Sequence, residues 1–203
     1  GYSRPPGRGA GTRNYLVVLG TSSRTSSFAR SLVARFVDVQ GPGIDGVVAV
    51  AHTEGGGRDR PNNAECVLRT LAGFIVHPNV GAVLAVDYDA EAITNRDLER
   101  YMARHNYPLN HVRHRFMTIA GGFEEQLDVG ERQLRLWLAQ VRAERRLVSL
   151  RHLRLALQCG GSDAFSGISG NPLAAWSARE IVRAGGAANL AETDELDSYN
   201  NKI

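Results

Sequence analysis

The chain has 203 residues, of which 43% are apolar and 22% charged, with a net charge of +3. That balance excludes collagen, coiled coil and wholesale disorder, and suits one ordinary domain or one domain with part of another. No apolar run reaches membrane-spanning length and the first residues carry no apolar signal core, so neither a transmembrane helix nor a signal peptide is expected.

Two cysteines, Cys66 and Cys159, cannot build a disulfide framework. A reduced, cytoplasmic setting follows as the expectation. Lys202 is the only lysine, so nearly all the positive charge is arginine. A phosphate-loop lysine and a Schiff-base lysine therefore have no candidate outside the tail. The small net charge argues for no nucleic-acid partner.

Strand-length apolar runs alternate with amphipathic stretches of helical length. The strand candidates are 14–19, 46–51, 80–86, 115–120, 153–157 and, more weakly, 187–191. The first three are nearly continuous in Val, Leu and Ala, as strands buried on both faces are. Val67, Leu71, Phe74 and Ile75 form one helical stripe, and Leu134, Trp137, Leu138 and Val141 form another. Pro78 and Asn79 stop the first of these helices. The pattern predicts an α/β fold: an open, mostly parallel, Rossmann-like sheet with helices on both faces. Residues 5–11 read as an extended lead-in. The arginine-rich segment 132–154 reads as a solvated helix face, since it has no aromatic platform for RNA.

In open parallel sheets, ligands bind beyond the carboxyl ends of the strands. After the first strand, 20–27 is a hydroxyl-rich turn entering a helix. It is either an anion cradle using Ser22, Arg24 and Ser26 or an N-cap with spare hydroxyls. After the second, His52 precedes Gly55, Gly56 and Gly57. It is either a base or metal ligand, or a capping residue of a flexible loop. After the third, Asp87, Asp89 and Glu91 are either cation ligands or a solvated helix start. After the fifth, 158–172 combines Cys159, Ser162 and Asp163 with several glycines. Cys159 is either a thiolate ligand or a buried inert cysteine, and Asp163 a candidate ligand or base.

Three stretches carry a family resemblance: Gly11-Thr12-Arg13-Asn14-Tyr15; Arg69 to Phe74 with His77-Pro78-Asn79; and Gln158-Cys159-Gly160-Gly161-Ser162-Asp163-Ala164-Phe165-Ser166-Gly167. They resemble the altronate/galactarate dehydratase family, and sulfolactate sulfo-lyase large subunits are similar as well. The stretch from Gly185-Gly186 to Glu192-Thr193-Asp194-Glu195 is similar to that family's run into an acidic turn. The resemblance implies a middle, dimerisation-type α/β domain over 1–150 and the opening of a Rossmann-like C-terminal domain over 151–203. It also implies a truncated member. This chain departs from the family pattern where cysteines are usual, at Thr25, Gly56 and Ala90. It departs again where glycines are usual, at Asp87 and Asp89, and at Pro6, where an aspartate is usual.

The resemblance implies a sugar-acid hydro-lyase working as a homodimer on a small-molecule substrate. A divalent metal, iron ahead of magnesium or calcium, assists abstraction of the proton α to a carboxylate and loss of a β-hydroxyl. On that reading His52 and Asp163 are catalytic. Ser22, Arg24, Ser26 and Ser162 bind substrate, and Cys159, Asp87 and Glu91 hold the metal. The alternative is a non-catalytic scaffold or partner subunit of the same descent, because the usual cysteines are missing.

Overall fold

The apolar runs of the first two-thirds of the chain pair into one parallel sheet. A computed structural model describes residues 1–39, 41, 43–158, 160 and 163–191. The chain divides into two compact units, Gly1–Arg146 and Leu147–Ile203.

In the first unit a small antiparallel hairpin, β1 (Tyr2–Ser3) and β2 (Ala10–Gly11), precedes the sheet. The sheet strands are β3 (Tyr15–Gly20), β4 (Gly46–Val50), β5 (Val80–Asp87) and β6 (Arg113–Thr118), in the order β4-β3-β5-β6 with every pair parallel. The crossovers are α1 (Ser26–Ala34), α2 (Ala64–Val76) and α3 (Asn95–Arg104), and α4 (Phe123–Gln140) follows β6.

Both faces of the sheet are covered, which is why the central strands read as unbroken apolar runs. Phe28 and Leu32 of α1 and Leu134 and Trp137 of α4 bury Leu16, Val18, Leu84 and Val86. Leu68, Leu71 and Ile75 of α2 and Leu98 and Met102 of α3 bury Val17, Leu19, Val83 and Ala85. Each fully buried side chain of this size contributes roughly 1.5–3 kcal/mol by leaving water. The α2 stripe is as expected except at Phe74, which is 42% exposed. The buried face runs from Leu71 and Ile75 through Leu68 and Ala72, so Phe74 falls at its rim.

The segment expected as a plain extended lead-in is a hairpin whose arginines reach into the fold. Arg8 is buried and donates to the carbonyls of Val76, His77, Val80 and His111 at 2.7–3.2 Å. Three of these lie at or just beyond the C-terminus of α2, where the helix dipole favours a cation. Burial pushes the Arg8 guanidinium down to about 10, so it stays charged at neutral pH. Arg4 donates to Pro78 O and to Asn14 Oδ1.

Two of the resemblance motifs meet here. Asn79 Oδ1 accepts the backbone N–H groups of Thr12 (2.8 Å) and Arg13 (3.2 Å), and Asn79 O accepts that of Tyr15. A Cβ on Gly11 would overlap the Pro78 carbonyl. These contacts lie where β3 and β5 begin, at the opposite end of the sheet from the strand-end loops.

The arginine-rich segment is helical only as far as Gln140. Beyond it residues 141–149 form neither helix nor strand, Leu150–His152 form a short 3₁₀ turn, and Arg145 and Arg146 pair with the N-terminal segment. The backbone groups of Gly1 and Arg146 exchange two hydrogen bonds, and Arg145 donates to Thr12 O while stacking over the Tyr2 ring.

In the second unit β7 (Arg154–Leu157) and β8 (Ala187–Leu190) pair in parallel as a separate two-stranded sheet. Between them run α5 (Ala164–Ile168) and α6 (Gly170–Arg183). The fifth and sixth strand candidates therefore form their own βαβ element rather than extending the first sheet.

Candidate active-site crevice at the sheet switch point

From β3 the chain turns to α1 on one face of the sheet, and from β5 it turns to α3 on the other. The strand order reverses between these neighbours, so their exit loops diverge and leave a crevice, the usual ligand position in such sheets. Thr21 ties the two strand ends together, with its N–H and its hydroxyl both donating to Val86 O at 3.0 and 3.2 Å. Ser22 then caps a short 3₁₀ turn. Its hydroxyl accepts Arg24 N–H at 3.2 Å, while the Thr25 hydroxyl donates back to Ser22 O at 2.7 Å. Ser22 is thus both a buried cap and a residue of the crevice wall.

The loop after β4 is stitched to this turn. Ser26 Oγ donates to His52 O at 2.8 Å, and Ser23 N–H donates to Glu54 O at 2.7 Å. His52 Nδ1 accepts Glu54 N–H at 3.2 Å, which places the ring proton on Nε2, 3.1 Å from Gly20 O. Both ring nitrogens are therefore engaged by the backbone. A Cβ on Gly56 would overlap Ser23 Oγ, and Gly55 sits at φ +71° against Ile93. The glycine run is a packed segment whose lack of side chains permits close approach, rather than a loose surface loop. Beside it, a groove of about 530 Å³ runs between β4 and α2, with His52, Glu54 and Asn63 on its polar side and Val67, Leu71 and Phe74 on its apolar side.

The acids on the other wall are not a solvated helix start. Asp87, the last residue of β5, is 2% exposed and accepts Asn95 N–H through Oδ2 at 2.8 Å, while its Oδ1 has no partner. Asn95 is 6% exposed. Its Nδ2 faces the carbonyls of Met117 and Ala85 at 3.2 and 3.4 Å, which fixes the amide and leaves Oδ1 without a partner. Glu91 is 9% exposed, and neither of its oxygens has a hydrogen bond of ordinary geometry. Burial raises its pKa above the usual carboxylate value. The Ser22 hydroxyl, Arg24 and the Tyr88 N–H offset this in part, and the neighbouring Asp87 adds to it. Asp89 points to solvent. The Arg24 guanidinium lies over the Tyr88 ring, 5.3 Å from its centre, and so bridges the two walls.

Of the residues singled out in the sequence, Ser22, Arg24, Ser26, His52, Asp87 and Glu91 thus belong to three loops joined at one end of the first sheet. Asn95, Thr21 and Tyr88 were missed. Asn95 lies between the helix-capping pair Thr94 and Asp97, a signal that marks a helix start and nothing chemical. Cys159 and Ser162 lie outside the described residues. Asp163 belongs to the second unit, where it caps α5 by accepting Ser166 N–H at 2.8 Å and Ser166 Oγ–H at 2.6 Å. The Ser166 hydroxyl and N–H hold its carboxyl below the usual range. Among the described residues no three His, Cys, Asp or Glu side chains gather as a metal-holding group, and no helix is long and apolar enough to cross a membrane.

Comparison with known proteins covers both units of the chain. Residues 1–142 match the model for the second domain of the D-galactarate dehydratase/altronate hydrolase family, and residues 150–201 match that for the D-galactarate/altronate dehydratase C-terminal domain. The chain is 29% identical to an altronate dehydratase of Bacillus subtilis over 97% of its length and 39% of the relative's. It is 29% identical to an altronate dehydratase of Escherichia coli over 92% of its length and 37% of the relative's. A galactarate dehydratase (L-threo-forming) of Escherichia coli shares 33% identity over 36% of this chain and 13% of that protein. The chain thus spans under two-fifths of the length of the altronate dehydratases it matches. With a family model covering well over half of its residues, the chain belongs to the D-galactarate dehydratase/altronate hydrolase family.

Proposed function

We propose that this chain is part of a sugar-acid hydro-lyase and that the switch-point crevice is where its first unit meets the substrate. The observation that carries the reading is that Arg24, stacked on Tyr88, opens on the crevice where Asp87 and Glu91 are buried with side-chain oxygens that lack partners, at the strand ends of a chain from a dehydratase family. A sugar acid presents one carboxylate beside a row of hydroxyls. Arg24 suits the carboxylate, since a guanidinium pairs both oxygens at once. The Ser22 hydroxyl accepts Arg24 N–H and turns its own proton toward Glu91, so it reaches a substrate only when Glu91 gives it up. The Ser26 hydroxyl is committed to His52 O and supports the loop.

Dehydration removes the proton α to the carboxylate and expels the β-hydroxyl, and the resulting enol becomes a 2-keto-3-deoxy acid. His52 can take a proton only through Nδ1, after Glu54 N–H releases it. Asp163 can act only after Ser166 releases its carboxylate, and its lowered pKa makes it a weak base.

A divalent cation would polarise the substrate carboxylate and hydroxyl. Asp87, Glu91 and Asn95 supply carboxylate and amide oxygens, and such oxygens fit a harder cation than the iron expected from the resemblance. A cytoplasmic homodimer remains the proposed setting, supported by the two-cysteine composition and the family resemblance.

The purified protein, supplied in turn with Fe²⁺, Mg²⁺ and Ca²⁺, should convert at least one aldonate or aldarate into a 2-keto-3-deoxy acid. No turnover by folded protein across such a panel overturns the reading. The non-catalytic scaffold would then stand. One observation favours it already: His52 and Asp163, the two proposed proton carriers, are both held in structural hydrogen bonds.

A further inference from the structure

Four side-chain oxygens around the end of β5 are buried without partners: Asp87 Oδ1, Asn95 Oδ1 and both oxygens of Glu91. A buried polar atom normally has a hydrogen bond, and one such orphan costs about 1–3 kcal/mol. Here every orphan is an acceptor. The Ser22 hydroxyl and the Tyr88 N–H act on Glu91 without a hydrogen bond of ordinary geometry, and no cation neutralises the group, so the deficit is one of positive charge or of protons. The arrangement is also held in place. Asn95 N–H locks Asp87 Oδ2, and the Ala85 and Met117 carbonyls lock the Asn95 amide in the orientation that leaves Oδ1 free. Glu91 lies within electrostatic reach of Asp87. Arg24 also acts on Glu91, but it makes no ion pair with either acid among the described residues.

We propose that Asp87, Asn95 and Glu91 form an oxygen-only site for a hard divalent cation, Ca²⁺ or Mg²⁺, built entirely within the first unit. Two carboxylates and one amide oxygen are the donor types such cations take, with water or a substrate oxygen completing the shell. Ca²⁺ accepts irregular sets of six to eight oxygens, whereas Mg²⁺ demands a near-octahedral set, so the two are separated by measurement. The site needs neither Cys159 nor any residue of the second unit. It does not depend on the hydro-lyase reading, since a bound cation also holds β5, the Asp87–Glu91 loop and α3 together.

The test is calorimetric titration of the chelator-treated protein with CaCl₂ and MgCl₂ separately, without substrate, alongside thermal melts. One saturable site is expected. At a hundredfold excess over Kd the melting temperature should rise by about 5–10 °C. Glu91→Gln keeps the shape of the side chain and should fold as the parent does, yet weaken the preferred cation at least about tenfold. Asp87→Asn, which keeps an acceptor for Asn95 N–H, should do the same. No saturable binding of either cation at millimolar levels, or equal binding by parent and Glu91→Gln, overturns the proposal. Binding without turnover would count against the hydro-lyase and leave this site intact, and turnover without binding would do the reverse.

Discussion

The carboxylate of Asp87 receives the backbone N–H of Asn95 at 2.8 Å, so the last residue of the central strand holds the first residue of α3. Both partners are buried, and water cannot replace the bond. Asp87→Leu should therefore cost about 1–3 kcal/mol in urea unfolding, whereas Asp87→Asn should cost less because an acceptor remains. Equal losses for the two variants would show that the contact does not matter to stability.

Arg24 stacks over Tyr88 and faces the crevice that carries the proposed substrate site. Arg24→Lys keeps the charge but loses the planar fork and its stacking. Under the proposed function, KM for a sugar acid should rise roughly tenfold or more, as expected for a charge-assisted bond worth about 1.5–3 kcal/mol, with the melting temperature unchanged. An unchanged KM would remove Arg24 from the substrate site.

At the other end of the sheet, Gly11 lies against the Pro78 carbonyl, where a methyl group would meet backbone rather than a movable side chain. Gly11→Ala should destabilise by roughly 1–3 kcal/mol through forced displacement. The equivalent measurement at Gly73, which has open space around it, should show no such loss. A neutral Gly11→Ala would mean that the junction with Pro78 is not tight.

His77 supplies the acid-side pH dependence. Burial and the neighbouring Arg8 lower its pKa, and its Nδ1 accepts Asn79 N–H at 3.1 Å, a bond that a protonated ring cannot make. A lowered histidine pKa means that the unfolded chain binds the proton more readily. The contribution is therefore present above the unfolded value and lost as pH falls through the folded one. Denaturation midpoints should decline below about pH 6.5, shallowly because the ring also reaches solvent. His77→Gln should flatten that decline, and an unaltered profile would assign it elsewhere.

The interior of the first unit gives the simplest stability test. Leu84 is fully buried at the centre of the sheet, between α1 and α4 on its side. Leu84→Ala should cost about 2–5 kcal/mol by urea unfolding, the range for a core cavity that cannot collapse.

By itself the sequence determined the α/β class and the four sheet strands. Buried parallel strands must be apolar on both faces, and Leu16 to Leu19 and Ala82 to Val86 have no other reading once helices flank them. It also marked His52, Arg24, Asp87 and Glu91 by their position after strands. Pairing decided the rest. The order β4-β3-β5-β6, which sets Asp87 and Glu91 against Ser22 and Arg24, depends on contacts between segments some sixty residues apart. No local period encodes those contacts. The same holds for Asn95, whose role comes from carbonyls on two different strands. The motif residues Asn14 and Asn79 carried part of the resemblance without a role that the sequence could assign. Only the tertiary structure showed that their amides are consumed in tying the strand beginnings together, because a hydrogen-bond partner distant in the chain leaves no trace in residue type or spacing.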